Sequence, residues 1–373
     1  MRNSLNNNAY LVLNDGTFYK GVPFGYEGDS FGEVVFNTSM TGYQEILTDP
    51  SYSGQIVVPT YPLIGNYGIN NYNNESNEIR VSGFVVRKHC EEPSHADSNQ
   101  TVSEFMSSQE ISGLCEVDTR AITKRIRTNG VMMGAIATGI SPEEALEHLR
   151  SLKSYDENDY VQKVSSPSTY HWEHSVRNKK PKAKELKILV SDFGLKYNIL
   201  RILRTMGCDV EVFPSKSTSQ DLLDRNPDGI LLSPGPGDPE LLDYAVQTTQ
   251  GLLGRVPLMG ICLGNQVLGR AVGAKTYKLK FGHRGGNHPV KDFSTGRTYI
   301  TSQNHGFAVD GDTLPDGLEV SHVNLNDGTV EGIRHKDLPI MGIQFHSEAA
   351  PGPLDNDYLF DSFLSLIKGV NNL

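Results

Sequence analysis

The sequence predicts an α/β protein of two domains, because 373 residues exceed the roughly 150 residues of a typical domain. From residue 187 onward, apolar runs alternate with segments of helical character, as in a doubly wound, mostly parallel sheet covered by helices. Residues 9–150 instead contain short apolar runs separated by turn residues, which favour a β-rich N-terminal α/β domain. We therefore expect a first domain over 1–155, a linker over 156–186 and a second domain over 187–373.

The first domain begins with a hairpin signal. The apolar runs 9–13 and 18–19 flank Asn14-Asp15-Gly16, a typical hairpin turn. Strands are also predicted over 32–37, 55–59 and 81–87, and helices over 103–112, 118–127 and 142–152. The stretch Thr38–Tyr52 is dense in polar residues, and by itself it favours a well-packed loop and short helix over a binding site.

The chain changes character near residue 165. Residues 165–186 are polar, basic and nearly free of aliphatic side chains, which is typical of a linker or an exposed crossover. After it, strands are predicted over 187–192, 209–213, 229–233 and 256–261, and helices over 198–206, 219–225 and 263–272. In such folds, ligands bind beyond the carboxyl ends of the strands.

Composition excludes several classes of protein. The hydrophobic fraction of 37% is ordinary for a globular protein, and neither the first eight residues nor any long apolar run predicts a secretory signal or a membrane span. We expect a cytoplasmic protein. A net charge of −10 disfavours nonspecific binding to nucleic acid or to anionic membranes. The four cysteines are widely spaced, which argues against disulfides and zinc ribbons, and no metal site is predicted.

The motif Gly260-Ile261-Cys262-Leu263-Gly264 joins a predicted strand to a predicted helix. Glycines on both sides of a cysteine permit the tight strand–turn–helix elbow that presents a nucleophile at a sheet edge. The N-terminus of the following helix would favour the thiolate. Free cysteine is also among the most buried residue types, so the motif alone leaves a purely structural role open.

Two further loops follow predicted strands of the same domain. Ser233–Pro239 is rich in glycine and proline, and its backbone amides suit an oxyanion hole, although by itself the loop favours a plain turn. His346-Ser347-Glu348 supplies an imidazole with a carboxylate two residues on. Imidazole can take the proton of a thiol near neutral pH, and the carboxylate can orient the ring. The three loops together predict a Cys–His–Glu catalytic site.

These three loops resemble those of class I, triad-type glutamine amidotransferases. The whole chain resembles the small, glutaminase subunits of carbamoyl-phosphate synthases. This second resemblance depends on five blocks: Phe36–Tyr52, Asp118–Arg120, Asp192–Lys196, Phe281–Val290 and Ser302–Val309. The block Phe36–Tyr52 separates this family from other amidotransferases, which attach the same domain to different partners.

The resemblance implies that Cys262 is the nucleophile, His346 the base and then the acid, and Glu348 its orienter. It further implies contacts to the substrate L-glutamine or its oxyanion from Ser51, Gly235, Gly237, Leu263, Gln266, Asn304, Gly306 and Phe307. A separate large subunit would receive the ammonia and use ATP, Mg and bicarbonate to make carbamoyl phosphate. The resemblance implies no cofactor in this chain, and it allows an oligomer of such heterodimers.

Some positions depart from the family pattern. Asn265 stands where histidine is common, Ser347 where proline is common, and Pro234 where asparagine is common. None of them removes a catalytic group. Two other functions stay open at this point: an amidotransferase that serves another synthase, and a non-catalytic scaffold. The sequence leaves open whether the product would serve pyrimidine or arginine synthesis.

Overall fold

The computed structural model describes residues 9–183 and 185–371. The chain divides into two compact units between Asn158 and Asp159. The first eight residues, on which the expected absence of a secretory signal depends, lie outside the described part. No helix among the described residues is long and apolar enough to cross a membrane.

The first unit is built around short strands. They are β1 Ala9–Leu13, β2 Phe18–Gly25, β3 Ser30–Asn37, β4 Gln55–Pro59, β5 Leu63–Ile64, β6 Gly83–Val85, β7 Lys88–His89, β8 Ser112–Cys115 and β9 Met132–Ala137. All but β5 and β7 close into a barrel in the order β1-β2-β8-β6-β4-β3-β9. Closure leaves this sheet without an open edge, and its core is apolar, with Val57 and Phe84 fully buried. The prediction of a β-rich first domain is confirmed.

Helices of the first unit are α1 Tyr43–Thr48, α2 Val102–Ser108, α3 Thr119–Asn129 and α4 Pro142–Ser151. The helix predicted over 103–112 ends four residues earlier, because Ser112 already belongs to β8. Within the polar block, the Gln44 amide donates to Asn70 O at 2.6 Å, and Asn70 N donates back to Gln44 Oε1 at 3.0 Å. The block therefore packs as the predicted loop and short helix.

The second unit contains one extended sheet. Its strands are β10 Tyr170–Trp172, β11 Leu186–Asp192, β12 Cys208–Pro214, β13 Gly229–Leu232, β14 Leu258–Ile261, β15 Thr276–Asp292, β16 Thr298–Val309, β17 Leu318–Asn324, β18 Val330–His335 and β19 Ile340–Ile343. They lie in the order β10-β12-β11-β13-β14-β19-β18-β17-β15-β16. The strands from β12 to β19 in this order pair in parallel, and β10 and the strands beyond β19 add antiparallel pairs.

Helices cover both faces of the parallel strands. They are α5 Val161–Val164, α6 Tyr197–Thr205, α7 Ser219–Leu223, α8 Asp243–Leu252, α9 Leu263–Ala271 and α10 Tyr358–Asn371. Successive residues of β11 point to opposite faces: Leu189 packs in one core with Val267 of α9, and Val190 packs in the other with Phe363 of α10. The predicted α/β fold with helices on both sides is confirmed.

Most of the segment predicted as a linker, 156–186, belongs to the second compact unit. Residues from Asp159 onward belong to the second compact unit, and they contain α5 and the edge strand β10. Tyr170 of β10 pairs with Val212 of β12, and the Trp172 ring packs on Tyr197 at a centroid distance of 4.8 Å. A few aromatic residues suffice to attach an otherwise polar segment to a sheet edge.

Candidate active site

The elbow around Cys262 has the predicted strand–turn–helix form. β14 ends at Ile261 and α9 begins at Leu263, and the cysteine between them has φ 53° and ψ −108°, a conformation rarely adopted by residues other than glycine. A Cβ atom on Gly260 would lie 2.4 Å from Gly264 O, and one on Gly264 would lie 2.1 Å from Leu232 O. Both glycines are therefore required by the close approach of strand and helix.

The sheet brings Cys262 and His346 to the same edge. β14 and β19 are parallel neighbours, with Ile261 opposite Ile343, and Cys262 N donates to Ile343 O at 2.8 Å. Three residues after β19, His346 N donates to Ser302 O at 2.8 Å. Both residues follow the carboxyl ends of adjacent strands, the position predicted for a ligand site.

His346 and Glu348 form a buried pair. Nδ1 of His346 lies 2.6 Å from Oε1 of Glu348, and the two side chains are 1% and 0% exposed. A carboxylate at Nδ1 selects the tautomer that carries its proton there and leaves Nε2 as the acceptor. Nε2 is buried, and no hydrogen-bond partner within bonding distance and angle is found for it among the described residues. The imidazole thus has a nitrogen available for the thiol proton.

The charges of the site shift both pKa values. Burial and the positive charge of Lys196 lower the pKa of His346, but the negative charge of Glu348 and the polar contacts of the ring with Cys262 and Glu348 together outweigh them and raise it overall. Burial raises the pKa of Glu348, but the positive charges of Lys196 and His346 outweigh burial and lower it overall. Glu348 is therefore a carboxylate at neutral pH, and it stabilises the protonated form of His346.

Lys196 is a site residue that sequence reasoning missed. Its ammonium group lies 3.0 Å from Oε1 of Glu348 and donates to Ala349 O at 2.6 Å. Asn198 Nδ2 donates to Glu348 O at 2.7 Å, so the start of α6 holds the Glu348 segment from two sides. Lys196 belongs to a block that marked the family resemblance, and its position directly after the apolar Phe193–Leu195 is a weak local signal.

The two residues predicted to stabilise an oxyanion lie side by side. A Cβ atom on Gly235 would lie 2.2 Å from Phe193 O and 2.8 Å from Leu263 Cδ2, so only glycine fits there. Leu263 is the first residue of α9, where backbone N–H groups lack helical partners. Gly237 has φ 93°, which favours glycine, and allows the loop to turn after Gly235.

One segment of β16 borders the cysteine. Asn304 O accepts from Cys262 Sγ at 3.6 Å, and Phe307 O accepts from Gln266 Nε2 at 2.8 Å. Gly306 lies between them on the same strand, so the structure brings these predicted glutamine ligands close to Cys262. Their contacts with glutamine stay predictions.

Ser51 lies in the first unit, and its predicted contact with glutamine also stays a prediction. Its backbone N donates to Asp49 Oδ1 at 2.9 Å. Its Oγ is buried, and no hydrogen-bond partner for it is found among the described residues. A hydroxyl in this state is suited to a ligand.

Two known family models match this chain, one within each of its two compact units. The model of the glutamine amidotransferase class-I family matches residues 189–366, and the model of the carbamoyl-phosphate synthase small chain, CPSase domain, matches residues 11–136. A carbamoyl phosphate synthase small chain of Akkermansia muciniphila is 50% identical over 96% of this chain and 97% of its own length. The chain belongs to the carbamoyl-phosphate synthase small-chain family. The resemblance predicted from the sequence is confirmed.

A second small-chain relative has the same extent. The small chain of Aquifex aeolicus is 46% identical over 97% of this chain and 99% of its own length. A solved structure of a glutamine amidotransferase from Thermotoga maritima is 19% identical, covering 50% of this chain and 85% of its own, with a TM-score of 0.36. Small-chain relatives thus match both units, and the class I amidotransferase family model matches within the second.

Proposed function

We propose that this chain is the glutamine-hydrolysing subunit of a carbamoyl-phosphate synthase and that it acts through a Cys262 thioester. The observation that carries the proposal is the buried pair of His346 and Glu348 beside a cysteine at a strained elbow, with Nε2 of His346 unsatisfied among the described residues. The match of relatives over nearly the whole chain supports the assignment of its partner enzyme.

The first step is acylation. Cys262 gives its proton to Nε2 of His346, and the thiolate attacks the side-chain amide carbon of glutamine. Backbone N–H groups of Gly235 and Leu263 stabilise the oxyanion. His346 then returns the proton to the amide nitrogen, the C–N bond breaks, and ammonia leaves a γ-glutamyl thioester on Cys262.

The second step is hydrolysis of that thioester. His346 takes a proton from a water molecule that attacks the carbonyl carbon, and it then protonates the leaving sulfur. Glutamate is released and the free thiol is restored. Glu348 keeps the imidazole oriented in both steps, and Lys196 keeps Glu348 ionised.

The substrate glutamine also presents α-amino and carboxylate groups that must be bound. We propose that they are held by Ser51, Gly237, Gln266, Asn304, Gly306 and Phe307. These residues supply neutral hydroxyl, amide and backbone groups, which suit a zwitterion because they donate and accept without a net charge. No cofactor takes part in this chain's own chemistry.

Conversion of the released ammonia to carbamoyl phosphate requires a partner subunit. We propose a cytoplasmic complex with a large subunit, which uses ATP, Mg and bicarbonate to convert the ammonia to carbamoyl phosphate. Heterodimers of the two subunits can associate further. The relatives are named as small chains, which supports a large-chain partner.

The test is copurification of the full chain with its large partner, followed by measurement of glutamate release with and without ATP and bicarbonate. Cys262→Ala should lower the rate by at least about 10³-fold, because removing a nucleophile leaves only binding and oxyanion contributions. Cys90→Ser, at a half-buried cysteine outside the site, is the matched control. Retained hydrolysis by the Cys262 variant, or a chain that binds no ATP-using partner, would contradict the proposal.

A further inference from the structure

A buried polar cluster adjoins the segment Asn304–Phe307 of β16, and the mechanism above does not use it. It contains His283 of β15, Gln303 and His305 of β16, Glu331 of β18, and Asp327 in the turn before β18. The first four are buried, and the Glu331 side chain is 0% exposed. A buried carboxylate is costly unless it is fully satisfied, so this cluster requires an explanation.

Glu331 is the central acceptor of the cluster. Its Oε1 accepts from Asn324 Nδ2 at 2.8 Å and lies 3.2 Å from His283 Nδ1. Its Oε2 accepts from Gln303 Nε2 at 3.0 Å. Both carboxylate oxygens are thus satisfied by side chains from three different strand or turn segments. Glu331 therefore ties these segments together.

His283 supplies the charge that balances Glu331. Its second nitrogen, Nε2, lies 2.8 Å from Asp327 Oδ2, so both ring nitrogens face carboxylates. A neutral imidazole has one N–H and satisfies one acceptor, whereas an imidazolium satisfies both. Burial lowers the pKa of His283, but Glu331 and Asp327 outweigh burial and raise it overall.

The cluster reaches the predicted glutamine ligands through His305. Nε2 of His305 lies 3.0 Å from Gln303 Oε1, and its Nδ1 lies 2.8 Å from Phe307 O. The same carbonyl accepts from Gln266 Nε2. Burial and the positive charge of His283 hold the pKa of His305 well below its usual value, so its ring is neutral and donates to only one of Gln303 Oε1 and Phe307 O. Close polar contacts therefore run from Glu331 through Gln303 and His305 to the backbone of Phe307.

The strand needs this support because its backbone ladder is interrupted there. β15 pairs Lys278 with Phe307 and then His283 with His305, so the register shifts across Gly306. The extra residues of this irregularity lie on β15, and they leave Gly306 of β16 without a paired residue in this ladder. Side-chain anchors on both sides of Gly306 supply the missing constraint.

A metal site is the competing explanation. The potential ligand atoms of His283, His305 and Glu331 lie within 4.8 Å of one another, and two histidines with a carboxylate are a common zinc set. Each ring nitrogen of the two histidines, however, already has a protein partner at 2.8 to 3.2 Å. The contacts of Glu331 with His283, Gln303 and Asn324 therefore favour a role in supporting β16.

We propose that Glu331, balanced by His283, is a positioning residue for glutamine binding: it holds the β16 segment from Asn304 to Phe307 through Gln303 and His305. This inference rests on the proposed glutamine hydrolysis. Glu331 itself contacts no reacting group, so its loss should act on the binding of glutamine and not on the thiol chemistry.

The test is steady-state hydrolysis of glutamine by the full chain with its partner. Glu331→Leu keeps the volume and removes every acceptor, and it should raise KM for glutamine by at least about tenfold with kcat changed less than about threefold, because displaced ligands weaken substrate positioning. Glu331→Gln keeps an acceptor oxygen and should restore most of the affinity. Glu319→Leu, at a half-exposed carboxylate of β17, is the matched control.

A second variant protects the test against misfolding. Asp327→Ala removes the outer acceptor of His283 from a half-exposed position and should give a smaller rise in KM. If Glu331→Leu does not fold, an unchanged KM in Asp327→Ala overturns the inference.

Four other results would overturn it. An unchanged KM in a folded Glu331→Leu chain removes the positioning role, as does a fall in kcat at constant KM. Loss of wild-type activity to a chelator, with recovery on addition of zinc, would establish the metal site instead. A wild-type complex that hydrolyses no glutamine removes the proposed function and this inference with it, whereas the first three leave the proposed function intact.

Discussion

The ammonium group of Lys196 lies 3.0 Å from Oε1 of Glu348, the same oxygen that lies 2.6 Å from His346 Nδ1. Both side chains are almost fully buried. The carboxylate therefore stands between two positive groups and divides its interaction between them. Lys196 lowers the pKa of His346, whereas Glu348 raises it, so the two residues act in opposite directions on the base.

Lys196→Met should move the pH–activity profile toward higher pH. The positive charge of Lys196 lowers the pKa of His346, so its removal raises that pKa further, and the imidazole is deprotonated only at a higher pH. Since the base must be neutral to accept the thiol proton, the acidic limb of kcat/KM against pH should shift upward.

Lys216→Met, at an exposed lysine that contacts Gln162, is the control for the loss of one positive charge. An acidic limb that stays in place or moves to lower pH in the Lys196 variant would show that Lys196 does not act on the base.

Glu348→Gln should shift the same limb in the opposite direction and lower the rate. Its negative charge raises the pKa of His346, so its removal lowers that pKa. By analogy with the loss of the orienting carboxylate in serine proteases, we expect kcat to fall by about 10²–10⁴-fold. A full-rate Glu348→Gln enzyme would argue against the triad.

The same variant should also unfold more easily. Lys196 is 2% exposed at its side chain, and Glu348→Gln removes the carboxylate that balances its charge. Breaking one side of a buried ion pair costs about 3–5 kcal/mol, so the free energy of unfolding should fall by about that amount. Denaturant titration of the variant and of Lys196→Met measures the difference.

Gly264→Ala should disrupt the elbow. The added Cβ would lie 2.1 Å from Leu232 O, a backbone atom that cannot move without displacing β13. We expect a loss of more than about 2 kcal/mol in the free energy of unfolding and a loss of activity. Gly269→Ala places the same methyl group in α9 with its nearest contact 3.1 Å away on the side chain of Val309, so it should cost clearly less than Gly264→Ala.

Ser51→Ala should weaken glutamine binding and leave the fold intact. The Ser51 hydroxyl is buried, and no hydrogen-bond partner for it is found among the described residues, so its removal breaks no contact seen in the structure. Loss of a hydrogen bond to a charged ligand costs about 1.5–3 kcal/mol, which corresponds to a KM raised by about tenfold or more. Ser53→Ala is the control, and equal KM values in the two variants would exclude Ser51 as a glutamine ligand.

The core of the site was predictable because its signals are local. Glycines on both sides of Cys262 follow from the steric demands of the elbow, and His346 and Glu348 lie two residues apart. Lys196 was missed because its partner lies far along the chain, and only the fold brings the two together. The cluster around Glu331 was missed for the same reason, since it joins residues of β15, β16 and β18.

The fold was predictable where apolar runs are short and strongly patterned. β11, β13 and β14 are buried on both faces and read as continuous apolar runs. β15 was not predicted, because its half-exposed residues mix charges and glycines without a period of two. Closure of the first unit into a barrel was not predicted either, because it depends on which strands pair and not on any one of them.

The hydrogen bond from Cys262 N to Ile343 O allows the chain between Cys262 and His346 to vary in length. The positions of Cys262 and His346 are set by the ladder between β14 and β19, and the many residues between them form α9 and the antiparallel strands. The turn between β15 and β16, at 293–297, can therefore accept inserted residues without changing the distance between nucleophile and base. A reporter peptide or an affinity tag placed there should leave glutamine turnover unchanged.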